Sequence, residues 1–133
     1  MTNKKENAIE VKRGDLVFVD FGNKWETKGS EQYGMRPAVV IQNDMGNKFS
    51  STTIVAPITK QVNKTNLPTH VHIGKEYLCE MADSYDSMIL LEQVKVVGKT
   101  RVIRKLNKKL SLDLLEKMDT ALMVSLGLSG KRN

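Results

Sequence analysis

The chain has 133 residues, 40% hydrophobic and 27% charged, with a net charge of +6 and an isoelectric point near 9.5. That length suits one domain with a real apolar core, and no stretch approaches the roughly 20 apolar residues a membrane helix needs. Cys79 stands alone, which excludes an internal disulfide and a cysteine-built metal site.

The opening MTNKKENAIEVKRGD is charged and has no apolar run of signal-peptide type, so a cytoplasmic protein is expected. Flexible tails are expected over 1–10 and 129–133, around a single domain over 11–128. GDLVFVDFG (14–22) reads as a strand apolar on both faces apart from Asp20. PAVVIQN (37–43) reads as a second strand, and NDMGNKFSS (43–51) as turn chemistry. TTIVAPIT (52–59) predicts a third strand whose Pro57 points to an edge or a bulge. LPTHVHI (67–73) alternates as a short half-exposed strand. SMILLEQVKVVG (87–98) begins as a buried run and ends in alternation, and TRVIRKL (100–106) alternates again, with Arg101 and Ile103 on one face.

The last segment changes period. Leu112, Leu115, Met118, Leu122 and Leu126 recur at helical spacing, with Ser111 as N-cap and Gly127 closing the helix. Five or six short strands followed by one amphipathic helix predict a mainly β protein. Its sheet is expected to be small, antiparallel and strongly bent, a partly open barrel with the helix packed against it.

Few residues are arranged for chemistry. No HExxH, cysteine pair or carboxylate cluster is present, and neither GxxxxGK[ST] nor GxGxxG occurs, so no metal and no cofactor are expected. His70 and His72 lie two apart in a predicted strand and so share a face. They read either as an acid–base pair for metal-free RNA cleavage or as two solvated polar residues. Arg36 follows Gly34, which frees the backbone, and precedes Pro37, which holds it extended. That aims a guanidinium fork of the kind that binds phosphate, unless it pairs with Glu31. Lys95, Lys99, Arg101, Arg104, Lys105, Lys108 and Lys109 form a run with no acidic residue between them. Such a run neutralises phosphates or makes a solvated face.

Six segments in order resemble the MazF/PemK family of bacterial toxins: VKRGDLVFVDF (11–21), GSEQYGMRPAVVIQND (29–44), GNKFSSTTIVAPIT (46–59), LPTHV (67–71), DSMILLEQVKVV (86–97) and LSLDLLEKMDTALMVSLGL (110–128). The resemblance implies an SH3-like barrel with a C-terminal helix, acting as a homodimer. It also implies a ribosome-independent, metal-independent endoribonuclease that cuts single-stranded RNA at short sequences and is neutralised by an acidic antitoxin of MazE type. By motif, the catalytic arginine is Arg36 and the catalytic threonine Thr59. The RNA-binding positions are Ser30, Glu31, Gln32, Asn43, Gln93, Lys99 and Arg101.

Departures from the family pattern are a longer loop carrying Trp25, able to stack on a base or to cover the dimer surface, and a longer 74–87 segment. His72 stands where relatives often have glutamate, and Pro57 replaces a small residue. Two other readings stay open on the same architecture: a gyrase inhibitor resembling the CcdB toxins, and a basic RNA-binding barrel that neither cuts nor poisons.

Overall fold

The computed structural model describes residues 8–23, 33–60, 67–81 and 85–128. Strand β1 (Asp15–Asp20) is buried on both faces, with Leu16 facing one apolar cluster and Val17 and Val19 the other. It sits between β2 (Met35–Val40) and β7 (Val102–Lys109). Strand β3 (Thr52–Lys60) pairs with β2 on one side. Its other side pairs with β6 (Lys95–Gly98) along its first half and β5 (Ser87–Leu90) along its last three residues. Strand β4 (His70–Ile73) pairs with β5. Among the described residues all pairings are antiparallel, and the seven strands exceed the expected five or six because residues 87–98 break into two.

The sheet is forced to curl. β6 lies along β3, β7 lies along β1, and only the 3-10 turn Lys99–Arg101 joins them. One short connection therefore draws two distant strands together around Val17, Val19, Ala38, Val40, Val55, Val97 and Val102. β6 and β7 do not pair with each other, so the barrel stays open, as expected. A bulge in β7, between its Val19–Val102 and Phe18–Arg104 rungs, shifts the strand's facing. Val102 consequently packs inside the barrel while Leu106 joins the outer cluster.

Pro57 is neither on an edge strand nor in a bulge. β3 is a central strand, and Pro57 is fully buried opposite Ala38. On the other side, β6 stops at Val55 and β5 begins at Ile58. The missing N–H of Pro57 thus falls between two partners, and the 3-10 turn Leu91–Gln93 steps out beside it.

The expected turn at 43–51 contains a helix, α1 (Asp44–Phe49). The Asn43 side chain caps it by accepting from the Gly46 N–H at 2.8 Å. Buried Asn47 ties it down: its Oδ1 accepts from Thr53 Oγ1 at 2.7 Å and its Nδ2 donates to the Gln42 carbonyl at 2.9 Å. The C-terminal helix, α2 (Leu112–Leu126), starts at Ser111 and ends at Gly127 with φ +72, as expected. The expected apolar stripe is only partly used. Met118 and Ala121 are buried against β4 and the Leu91–Gln93 turn, while Leu112 and Leu126 overhang at 79% and 54% exposure. No helix among the described residues is long and apolar enough to cross a membrane.

Candidate functional site

Arg36 is presented by the base of the β1–β2 connection. The Gly34 N–H donates to the Gly22 carbonyl at 2.6 Å, and the Phe21 N–H donates back to Gly34 at 2.9 Å. Gly34 holds φ +82, a conformation that strains any side chain. From that clamp the chain runs straight into Arg36, opposite Val19 of β1. Arg36 is half-buried as a residue; its Nε donates to the Tyr33 carbonyl at 2.8 Å in an exposed hydrogen bond, and the guanidinium carbon stands 5.8 Å from the Tyr33 ring centre. Among the described residues nothing else engages it, and the two terminal nitrogens form an open fork suited to an oxyanion. Tyr33 is the residue that sequence reasoning missed; an aromatic three positions before an arginine is too common a pattern to single out.

Thr59 comes to the same place through sheet register. The β2–β3 ladder ends at Ala38–Pro57, and the same register carries Arg36 and Thr59 to opposite positions on one face. That face is the barrel-interior side of Ala38, Val40 and Val55, so the pair crowns the rim of the inner cluster. At the usual strand separation of about 4.8 Å, that continued register would bring arginine and threonine within reach of one phosphate. Thr59 is half-buried, and among the described residues its hydroxyl has no hydrogen-bond partner. The pair therefore offers a cation with two parallel donors and a neutral hydroxyl donor. That set stabilises a phosphorane better than it removes a proton, since arginine stays charged.

The other expected contacts divide. Arg101 lies near the Arg36 end of β1, its Nη1 donating to the Asp20 carbonyl at 3.1 Å, with the Asp20 carboxylate 4.0 Å away. Asn43 and Lys99 gather instead at the start of β3, about 20 Å along the strand from Thr59. Both have local roles there: Asn43 caps α1, and the Lys99 ammonium donates to the Asn47 carbonyl. Gln93 ends the turn beside Pro57, half-buried and on the side where α2 packs. His70 is nearly enclosed at 6% side-chain exposure, its Nε2 3.1 Å from Glu92 Oε2, whereas His72 is exposed. Trp25, Ser30, Glu31 and Gln32 lie outside the described residues.

The basic run is less free than its composition implies. Lys105 and Lys109 sit 3.6 and 4.0 Å from buried Asp15, and Arg104 sits 3.2 Å from Glu80. Distant acidic residues thus meet a run that looked unopposed in the sequence. Among the described residues no three His, Cys, Asp or Glu side chains group as a metal site would require.

Residues 12–126 match the family described as PemK-like, MazF-like toxin of type II toxin–antitoxin system. The chain belongs to this family. Within it, the chain is 49% identical over 119 residues to endoribonuclease EndoA of Bacillus subtilis strain 168, covering 89% of this chain and 96% of that one. The fold is also that of MazF from Deinococcus radiodurans, with a TM-score of 0.70 at 20% identity, covering 90% of this chain and 98% of that one. A mycobacterial endoribonuclease solved in complex with its cognate antitoxin matches with a TM-score of 0.69 at 21% identity, over 91% and 99% of the two chains.

Proposed function

We propose that this PemK/MazF-like chain is an endoribonuclease that cuts single-stranded RNA at short sequences in the cytoplasm, without a metal ion. What supports the reading is the β2–β3 register, which, continued two residues beyond its last pair Ala38–Pro57, brings Arg36 across from Thr59. In the proposed step the substrate's own 2′-oxygen attacks phosphorus and the bond to the 5′-oxygen breaks. The 2′-hydroxyl proton passes to water, the leaving oxygen takes up a proton, and the products are a 2′,3′-cyclic phosphate and a 5′-hydroxyl. Arg36 neutralises the charge that builds on the phosphorane, and Thr59 donates to one of its oxygens. Single strands suit this chemistry because they free the sugar for in-line attack and expose base edges. Gln93, Arg101 and the 30–32 segment would line the approach, with Asn43 and Lys99 contacting RNA further along. Relatives have been solved in complex with antitoxins; here an acidic antitoxin of MazE type would cover the site, and the working form would be a homodimer.

The test is incubation with long single-stranded RNA in excess EDTA, followed by end mapping. Discrete cuts with 5′-hydroxyl ends, reduced at least a hundredfold by Arg36→Ala, are expected. Intact RNA with well-folded protein would overturn the reading and send the chain to a gyrase assay.

A further inference from the structure

We propose that His72 is a substrate-contacting residue of the same site, binding the nucleotide next to the scissile phosphate. The inference rests on the nuclease reading of Arg36 and Thr59, but it comes from a different set of pairings. Thr59 of β3 is opposite Met88 of β5, and Met88 is opposite His72 of β4. On the far side, Arg36 is opposite Val19. With the β2–β3 register continued two residues past Ala38–Pro57, one cross-strand row reads Val19, Arg36, Thr59, Met88, His72, and residues in one such row project from the same face of a sheet.

The spacing decides what His72 does. Two strand separations put it about 10 Å from Thr59, and three put it about 14 Å from Arg36. Proton transfer needs contact at about 2.6–3.2 Å, so an imidazole there is out of range of a hydroxyl held between Arg36 and Thr59. It is well placed for the neighbouring nucleotide. Met88 lies between them, half-buried, and offers an apolar, adaptable step on which a base can rest. His72 is exposed at the rim, and an imidazole both stacks on unpaired bases and hydrogen-bonds their edges.

His70 supplies the contrast. It shares the strand and the alternation, yet its ring is 6% exposed and is held 3.1 Å from Glu92, which also accepts from Thr69 Oγ1 at 3.0 Å. That network fastens β4 to the Leu91–Gln93 turn. His70 is thus a structural tie; the inference for His72 rests on its place in the row and its exposure.

The two rings give separable NMR signals, which makes the experiment direct. The full chain is titrated with single-stranded RNA carrying a 2′-deoxy sugar at the cut site, so that it binds without reacting. The His72 ring signals are expected to shift while those of His70 stay in place. In parallel, His72→Ala, checked for folding by circular dichroism, is expected to raise KM about tenfold and leave kcat within about twofold. Retention of KM by His72→Phe assigns stacking, and retention by His72→Gln assigns hydrogen bonding; either supports the contact. Unmoved His72 signals in the RNA-bound protein, or an unchanged KM in His72→Ala while Arg36→Ala still abolishes cutting, would overturn it. A lower kcat with unchanged KM would equally remove the binding role. Failure of the wild-type chain to cut RNA would sink the nuclease reading alone, because the ring signals still report whether His72 touches RNA.

Discussion

In the proposed reaction Arg36 and Thr59 would divide the work by the donors they carry. The guanidinium is anchored through Nε to the Tyr33 carbonyl, so its orientation is set before substrate arrives. A preoriented donor costs no reorganisation when charge develops, which is where electrostatic stabilisation gains most. Thr59 contributes only a hydroxyl, and its methyl and backbone belong to the strand. Thr59→Val keeps that shape and removes the donor. It is expected to lower kcat about a hundredfold with little change in KM, while Thr59→Ser keeps most activity. Single-turnover cleavage of a short RNA measures both, and equal rates for Val and wild type would deny the hydroxyl a role.

Among the elements, α1 shows how a six-residue helix is kept in place. The Asp44 carboxylate accepts from the Arg13 N–H at 2.7 Å, tying the helix to the turn before β1. That backbone hydrogen bond holds Asp44 below the usual carboxylate range; slight burial opposes it, and the Asn47 amide, Lys12 and Arg13 reinforce it. Because the folded value is depressed, the contribution is present above the unfolded value of about 3.9 and is lost as pH falls through the folded one. Asp44→Asn, which keeps an acceptor oxygen but no charge, should therefore unfold more easily than wild type at pH 6. The gap should close progressively below about pH 4. Urea midpoints at several pH values test this, and a gap that persists at pH 2 would exclude Asp44 as its source.

For the molecule as a whole, the placement of charge separates structural lysines from those free to meet RNA. Lys105 is 3.6 Å from Asp15, whose carboxylate is 5% exposed and also accepts from the Lys12 N–H at 2.8 Å. Its charge is already committed. Lys105→Ala should lower stability by under about 1 kcal/mol, given its partial exposure. RNA affinity and its salt dependence should move little. Arg36→Ala should instead weaken binding and flatten the salt slope by about 0.7, the value for one single-strand phosphate contact. Fluorescence titrations at several salt concentrations distinguish the two, and a slope change of that size in Lys105→Ala would show that Asp15 does not occupy it.

Much of this was legible from local pattern. Alternation and apolar runs marked the strands, and the shift to helical spacing marked α2 with both of its caps. Gly34 and Pro37 marked Arg36 as a deliberately held side chain. These features depend on a few neighbouring residues, so the chain order alone contains them. The errors came where a distant partner decides. Pro57 looked like an edge residue because only the assembled sheet shows the break between β6 and β5 on its open side. The 43–51 stretch looked like a turn because the buried Asn47 network depends on Thr53 and Gln42 being folded around it. Asp15 and Glu80 are far from the basic run in sequence and beside it in space. Local chemistry singled out Arg36, while Thr59 was pointed to only by the family resemblance. Their facing positions, and the place of His72 in the same row, follow from strand register, which is a property of paired chains and of no single segment.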